Sequence, residues 1–180
     1  TLGPTSFANA NARGASFQGA IAATDATLDF SGADLTDASF RGLTLVRGSF
    51  ARATLTRANF VGSALFGVDC SDVDAGEADF TGAKLAKVGF GHAYFGGASF
   101  RRSTLNTSFA GTVLDRASLQ YAKTAPAAAW AATNTTADYP RAGFQDLSAV
   151  EADFTGADLR DVRFDRSDLT RARLFQADVT

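Results

Sequence analysis

From Phe30 to Leu105 every fifth residue is large and apolar, through Phe30, Leu35, Phe40, Leu45, Phe50, Leu55, Phe60, Leu65, Phe80, Leu85, Phe90, Phe95, Phe100 and Leu105, with Cys70 and Ala75 as the two weaker members. A period of five fits neither a helix, at 3.6, nor a half-buried strand, at 2. It reports a repeat, and a repeat of this kind fixes architecture before anything else can be read. Two residues before each centre stands a small residue, as at Ala33, Ala38, Ala53, Ala58, Ala78, Ala83, Ala93 and Ala98. A short polar residue comes just before it, as at Asp34, Ser39, Asn59 and Asp79; Ser, Thr, Arg or Gly follows, and then often Gly.

These units, plain in Ala33-Asp34-Leu35, Ala58-Asn59-Phe60, Ala78-Asp79-Phe80 and Ala157-Asp158-Leu159, resemble those of the pentapeptide repeat family, and the resemblance covers most of the chain. It implies an all-β fold: a right-handed parallel four-sided β-helix, a solenoid with four units, or twenty residues, per coil. The implied fold makes physical sense of the pattern. A narrow square tube has room for one large and one small inward side chain per side, and the other three positions face water. Residues twenty apart then stack. Phe40, Phe60, Phe80 and Phe100 line one side and Phe30, Phe50, Cys70 and Phe90 the opposite one. Leu45, Leu65, Leu85 and Leu105 line a third, and Leu35, Leu55, Ala75 and Phe95 the fourth. Residues 1–180 form one domain of roughly eight coils, about 40 Å long at about 4.8 Å per coil.

The frame slips twice. An early register through Phe7, Ala12, Phe17 and Ala22 shifts before Phe30, and one residue is missing between Leu105 and Phe109. The centres vanish at about 121–143, read as a loop or short helix leaving the tube; the Phe/Leu alternation resumes at Phe144 as though an odd number of units had been looped out. The alternative is a degraded but continuous coil, because Ala122, Ala127, Ala132, Ala137 and Ala142 keep the small-residue spacing.

Charge and cysteine change the picture little. Seventeen basic and 19 acidic residues leave a formal charge of −2, which argues against a nucleic-acid binder with a basic footprint. The one cysteine, Cys70, forms no internal disulfide and stands in an apolar column that supplies no base to activate it. No apolar run reaches the length of a membrane span and no signal-peptide pattern is visible. The start at Thr1 reads as a processed mature protein or a fragment.

Candidate chemistry is sparse. His92 is the only histidine and falls on an outward position; no Cys/His cluster has zinc spacing, and no Ser/His/Asp set could be completed except through this one residue. The acidic run Asp69, Asp72, Asp74, Glu77 and Asp79 lacks the EF-hand pattern. It reads first as solvated charge that zips coils together, since Asp37, Arg57 and Glu77 line up one coil apart with alternating sign, as do Arg52 and Asp72; partner contact is the second reading. Trp130 and Tyr139, in the interruption, are candidate partner anchors; the alternative is that both fold back on the tube wall. Asn106-Thr107-Ser108 and Asn134-Thr135-Thr136 match the glycosylation sequon. Arg160, Arg163, Arg166, Arg171 and Arg173 interleave with aspartates, so no clean nucleic-acid patch results.

The expected function is a non-enzymatic scaffold, without cofactor or metal, that docks as a rigid rod into a larger protein assembly. The resemblance extends to lumenal pentapeptide proteins of plastids and implies a thylakoid lumen beside a photosynthetic complex, the cytoplasm being the other compartment considered. The alternative it implies is a DNA mimic that binds type II topoisomerase and shields it from inhibitors, which near-neutral charge and a repeat running to Val179 both disfavour. An enzyme is the third reading. Uncapped solenoid ends expose strand edges and core, so at least one end is expected to be covered by a partner, by another copy end to end, or by further sequence.

Overall fold

The computed structural model describes residues 3–22, 27–124, 144–160 and 162–179. Seven short strands, β1 (Thr5–Ser6), β2 (Leu28–Asp29), β3 (Thr44–Ser49), β4 (Ala64–Asp69), β5 (Lys84–Ala86), β6 (Thr104–Asn106) and β7 (Lys123–Thr124), form one sheet in sequence order. Every pairing is parallel, as it must be when a chain returns to the same wall in the same sense. Isolated parallel bridges repeat this on other walls, for example Asp34 to Thr54 to Asp74 to Tyr94 and Ser39 to Asn59 to Asp79 to Ser99. The chain is a right-handed, four-sided parallel β-helix. Seven strands make six coil-to-coil steps, slightly fewer than the roughly eight coils read from the sequence, while single bridges carry one wall through eight levels from Asn11 to Asp168. The outer coil pairs through bridges such as Asp158 to Asp178 instead of strands.

Register is twenty through the middle of the rod, where Leu45 faces Leu65, Leu65 faces Leu85 and Leu85 faces Leu105. At the first slip Asn11 faces Asp34, twenty-three residues on, and at the second Tyr94 faces Val113, nineteen on. Val113 then faces Ser148, thirty-five on, and Ser118 faces Asp153. Fifteen residues beyond one coil, or three units, therefore lie between these levels, and Phe144 lands on the Phe wall, 5.2 Å from Phe109. Tyr121 to Thr124 still belong to the coil, with Ala122 buried; the loop or short helix expected beyond them falls on residues 125–143, outside the described residues.

Each side ends in a tight turn. The carbonyl of Phe30 accepts from Ala33 N–H (3.1 Å), that of Leu35 from Ala38 (3.0 Å) and that of Phe60 from Ser63 (3.0 Å). The third turn residue takes a left-handed conformation, as a type II turn requires. Glycine does this at Gly32 and Gly62, but Asp37, Arg57, Glu77 and His92 do it too, at φ 57–61°. The short polar residue before each centre explains how the turn is held. Asp34 Oδ1 accepts from Thr36 N–H (3.1 Å), Asn59 Oδ1 from Val61 N–H (3.0 Å) and Asp79 Oδ1 from Thr81 N–H (2.9 Å). Only a short side chain reaches its own backbone two residues on. This position is thus a turn clasp and not merely a solvated site.

The core is the stacked interior. Phe40, Phe60, Phe80 and Phe100 lie in near-parallel stacks 4.7, 4.7 and 4.9 Å apart. Rings on the facing wall meet them edge-on, as Phe50 does Phe60 at 5.7 Å. Where a centre shrinks, the small position grows. Ala75 is preceded by buried Val73 and Ala149 by buried Leu147, while Cys70 is preceded by buried Val68. The exchange keeps the section filled, as close packing demands.

Candidate interaction surface

The square section sends consecutive outward residues to different walls, so charged side chains meet chiefly along columns. One corner column runs Asp37, Arg57, Glu77, Gly97, Arg116, Glu151 and Arg171, each at positive φ. Arg57 clasps Asp37 with two hydrogen bonds, Nε to Oδ1 at 2.8 Å and Nη2 to Oδ2 at 3.0 Å. Further along, Glu151 lies 4.0 Å from Arg116 and 3.5 Å from Arg171. A second corner carries the bidentate pair Arg166–Asp146 at 2.5 and 2.7 Å. The arginines hold Asp37 and Asp146 below the usual carboxylate range, and the Thr36 hydroxyl and N–H do the same for Asp34. Arg52 and Asp72 also lie one coil apart but form no ion pair among the described residues.

The acidic run spreads over three walls, at Asp69, Asp74 and Asp79, and two corners, at Asp72 and Glu77. Asp69 and Asp74 are turn clasps, accepting from Ser71 N–H (3.0 Å) and Gly76 N–H (3.1 Å). Asp72 and Glu77 are exposed corner residues at φ 56° and 58°. Among the described residues these four carboxylates make no ion pair, and no cluster of three or more His, Cys, Asp or Glu could hold a metal ion. His92 is an exposed corner residue. Cys70 is buried, and that burial, with the charge of Asp69, pushes its thiol far up. Asn106 of the first sequon is buried, with both amide atoms unpaired, beside the second frame slip. The second sequon, Trp130 and Tyr139 lie outside the described residues. Sequence reasoning passed over Tyr94, an exposed aromatic where neighbouring coils carry Asp74 and Val113; a bulky ring at a position mostly given to small or short polar residues was the available signal.

The family model for pentapeptide repeats matches residues 33–69, 63–102 and 144–180, in 8 copies. The chain belongs to the pentapeptide repeat family. Among solved structures this pentapeptide repeat protein is similar to HetL, a pentapeptide repeat protein involved in heterocyst differentiation regulation from the cyanobacterium Nostoc. The two are 24% identical, over 98% of this chain and 75% of that one, with a TM-score of 0.77. Looser matches are full-length QnrB1, a plasmid-mediated fluoroquinolone resistance protein (20% identity, 91% and 78% covered, TM-score 0.45), and a pentapeptide repeat protein from the Arabidopsis thaliana thylakoid lumen (28%, 73% and 71%, 0.26). The likeness to HetL is one of fold. No curated protein matches the chain by sequence.

Proposed function

We propose that this chain is a non-enzymatic, protein-binding scaffold that docks as a rigid rod into a larger protein assembly. The observation that carries the reading is the contrast between its carboxylates. Those at Asp37, Asp146 and Glu151 are matched by arginines of adjacent coils. Those at Asp69, Asp72, Asp74 and Glu77, all on one coil, make no ion pair among the described residues, on a backbone fixed by hydrogen bonds to both neighbouring coils. Carboxylates without ion pairs, ringing one coil of a rigid rod, suit a basic protein surface. A DNA mimic needs a uniformly negative face, whereas the corner column alternates in sign.

The test is in-cell cross-linking of the tagged full-length protein, read by mass spectrometry. A stoichiometric protein partner is expected, with the cross-link lost on Asp72→Lys. Recovery of the free chain alone, or of topoisomerase as the sole partner, overturns the reading. Its finer form, a place beside a lumenal photosynthetic complex, is decided by where the same tagged protein localises. The last described coil leaves Leu174, Phe175 and Val179 exposed, and end-to-end pairing of copies through such a coil belongs to the same proposal. Native mass spectrometry reads it, with a strictly monomeric protein as the refuting result.

A further inference from the structure

The alternating corner column has one missing rung. Gly97 stands between Glu77 and Arg116, and a Cβ there would have only Glu77 Cγ within reach, at 3.6 Å. Beside the gap, Tyr94 lies across two other glycines. A Cβ added to Gly96 would fall 2.2 Å from the Tyr94 hydroxyl oxygen and 3.0 Å from its Cε1, and one added to Gly76 would fall 3.1 Å from Cε1. The ring therefore occupies a place that side chains at these positions would take, and it remains 47% exposed. Glu77, Tyr94, Gly96, Gly97, Asp115 and Arg116 line an open recess of about 180 Å³.

The walls of this recess differ in what they have left to offer. Asp115 Oδ1 already accepts from the Ser148 hydroxyl (2.5 Å) and Val150 N–H (3.1 Å). Arg116 leans toward Glu151. Glu77 makes no ion pair among the described residues, and Tyr94 presents π surface. An aromatic platform beside a carboxylate that feels the charge of Arg57 but makes no ion pair is the chemistry that holds a planar cation, and a guanidinium stacks on such a ring better than a strongly hydrated ammonium does. We infer that this recess is a notch for an arginine side chain of a partner protein, stacked on Tyr94 and paired with Glu77. The inference rests on the scaffold reading and names the partner chemistry at one point of it.

Gly97→Arg tests it by filling the notch with this chain's own guanidinium. The backbone accepts the change, because Arg52, Arg57, Arg102 and Arg116 all take φ 54–59° at equivalent corners. The probe is the blocked tripeptide acetyl-Gly-Arg-Gly-amide, titrated into the isotope-labelled protein and followed at the amides of Gly76, Gly96 and Gly97, with Lys and Glu versions as comparators. The Arg peptide is expected to give saturable shifts confined to these amides, the Lys peptide weaker ones and the Glu peptide none. Tyr94→Ala and Glu77→Gln should each weaken binding roughly three- to fivefold, as for an exposed cation–π contact. Gly97→Arg should abolish it while the chain stays folded, with Tm lowered only by the small cost of a side chain at this positive φ. Shifts scattered over the surface, an equal response to the Glu peptide, or full binding by Gly97→Arg overturns the inference. A partner that cross-links to the Gly97→Arg chain as it does to the unaltered one removes the notch and leaves the scaffold proposal standing.

Discussion

Replacing Phe60 with alanine removes a ring that is 1% exposed. It lies 4.7 Å from Phe40 and 4.7 Å from Phe80 in near-parallel stacks, and 5.7 Å from Phe50 edge-on. Truncating an enclosed phenylalanine costs about 3–5 kcal/mol, more when the site cannot collapse onto the cavity. Here it cannot collapse freely. Phe60 N–H donates to Asp79 O (2.7 Å) and Asn59 N–H to Ala38 O (2.9 Å), which tie the wall to both neighbouring coils. The expected loss is therefore in the upper half of that range, about 4–5 kcal/mol, a large share of the stability of an ordinary domain at about 5–15 kcal/mol. Urea unfolding followed by circular dichroism measures it, with His92→Ala, an exposed corner change, as the comparator expected within about 0.5 kcal/mol of the unaltered protein. If Phe60→Ala costs less than about 1.5 kcal/mol, or no more than His92→Ala, the assignment of inward and outward positions is wrong.

Gly48 has φ 148°, and a Cβ there would fall 2.7 Å from the Leu28 carbonyl oxygen, so Gly48→Ala should lower stability by about 1–3 kcal/mol, whereas Gly62→Ala, with open space around it, should cost less; paired thermal melts compare them. Cys70, buried with its thiol pushed up, should react with an aromatic disulfide reagent only as fast as the protein unfolds, and rapid labelling of the native chain would contradict its placement. The carboxyls of Asp34, Asp37 and Asp146 are depressed in the folded state, so their contribution is complete above the unfolded value of about 3.9 and is lost as pH falls through the folded values. Melts taken as a function of pH should lose stability below about pH 4, and Asp37→Asn together with Asp146→Asn should flatten that loss.

The five-residue period made the tube legible because packing inside a narrow section leaves no freedom. Phe at twenty-residue spacing on two walls can only stack, and the stacks at Phe40, Phe60 and Phe80 follow from the count alone. The short polar residues were harder to read. Asp34, Asn59 and Asp79 look like solvated surface in a sequence, yet their work is to bond their own backbone, which periodicity does not register. Charged residues at left-handed corners are similarly silent. Arg57 and Glu77 occupy a conformation that propensity assigns to glycine, and hydrogen-bonded coils on either side hold them there against it. The exchange of bulk between Val73 and Ala75 involves two positions that a repeat consensus treats separately. Tyr94 reaches its near neighbour Gly96 within one coil, but its contact with Gly76 joins successive coils, and no local window contains that one.

The corner column gives the rod a parity. Asp37, Arg57 and Glu77 alternate because each meets only the coil before and the coil after. Excising the single coil that carries Arg57 would leave the Phe and Leu walls in register and yet set Asp37 against Glu77; excising the one that carries Glu151 would set Arg116 against Arg171. Duplicated pairs preserve the alternation. The interior would permit a rod of any whole number of coils, but its charged edge favours growth and shrinkage two at a time, except at the uncharged Gly97 coil, whose loss alone would bring Glu77 to Arg116.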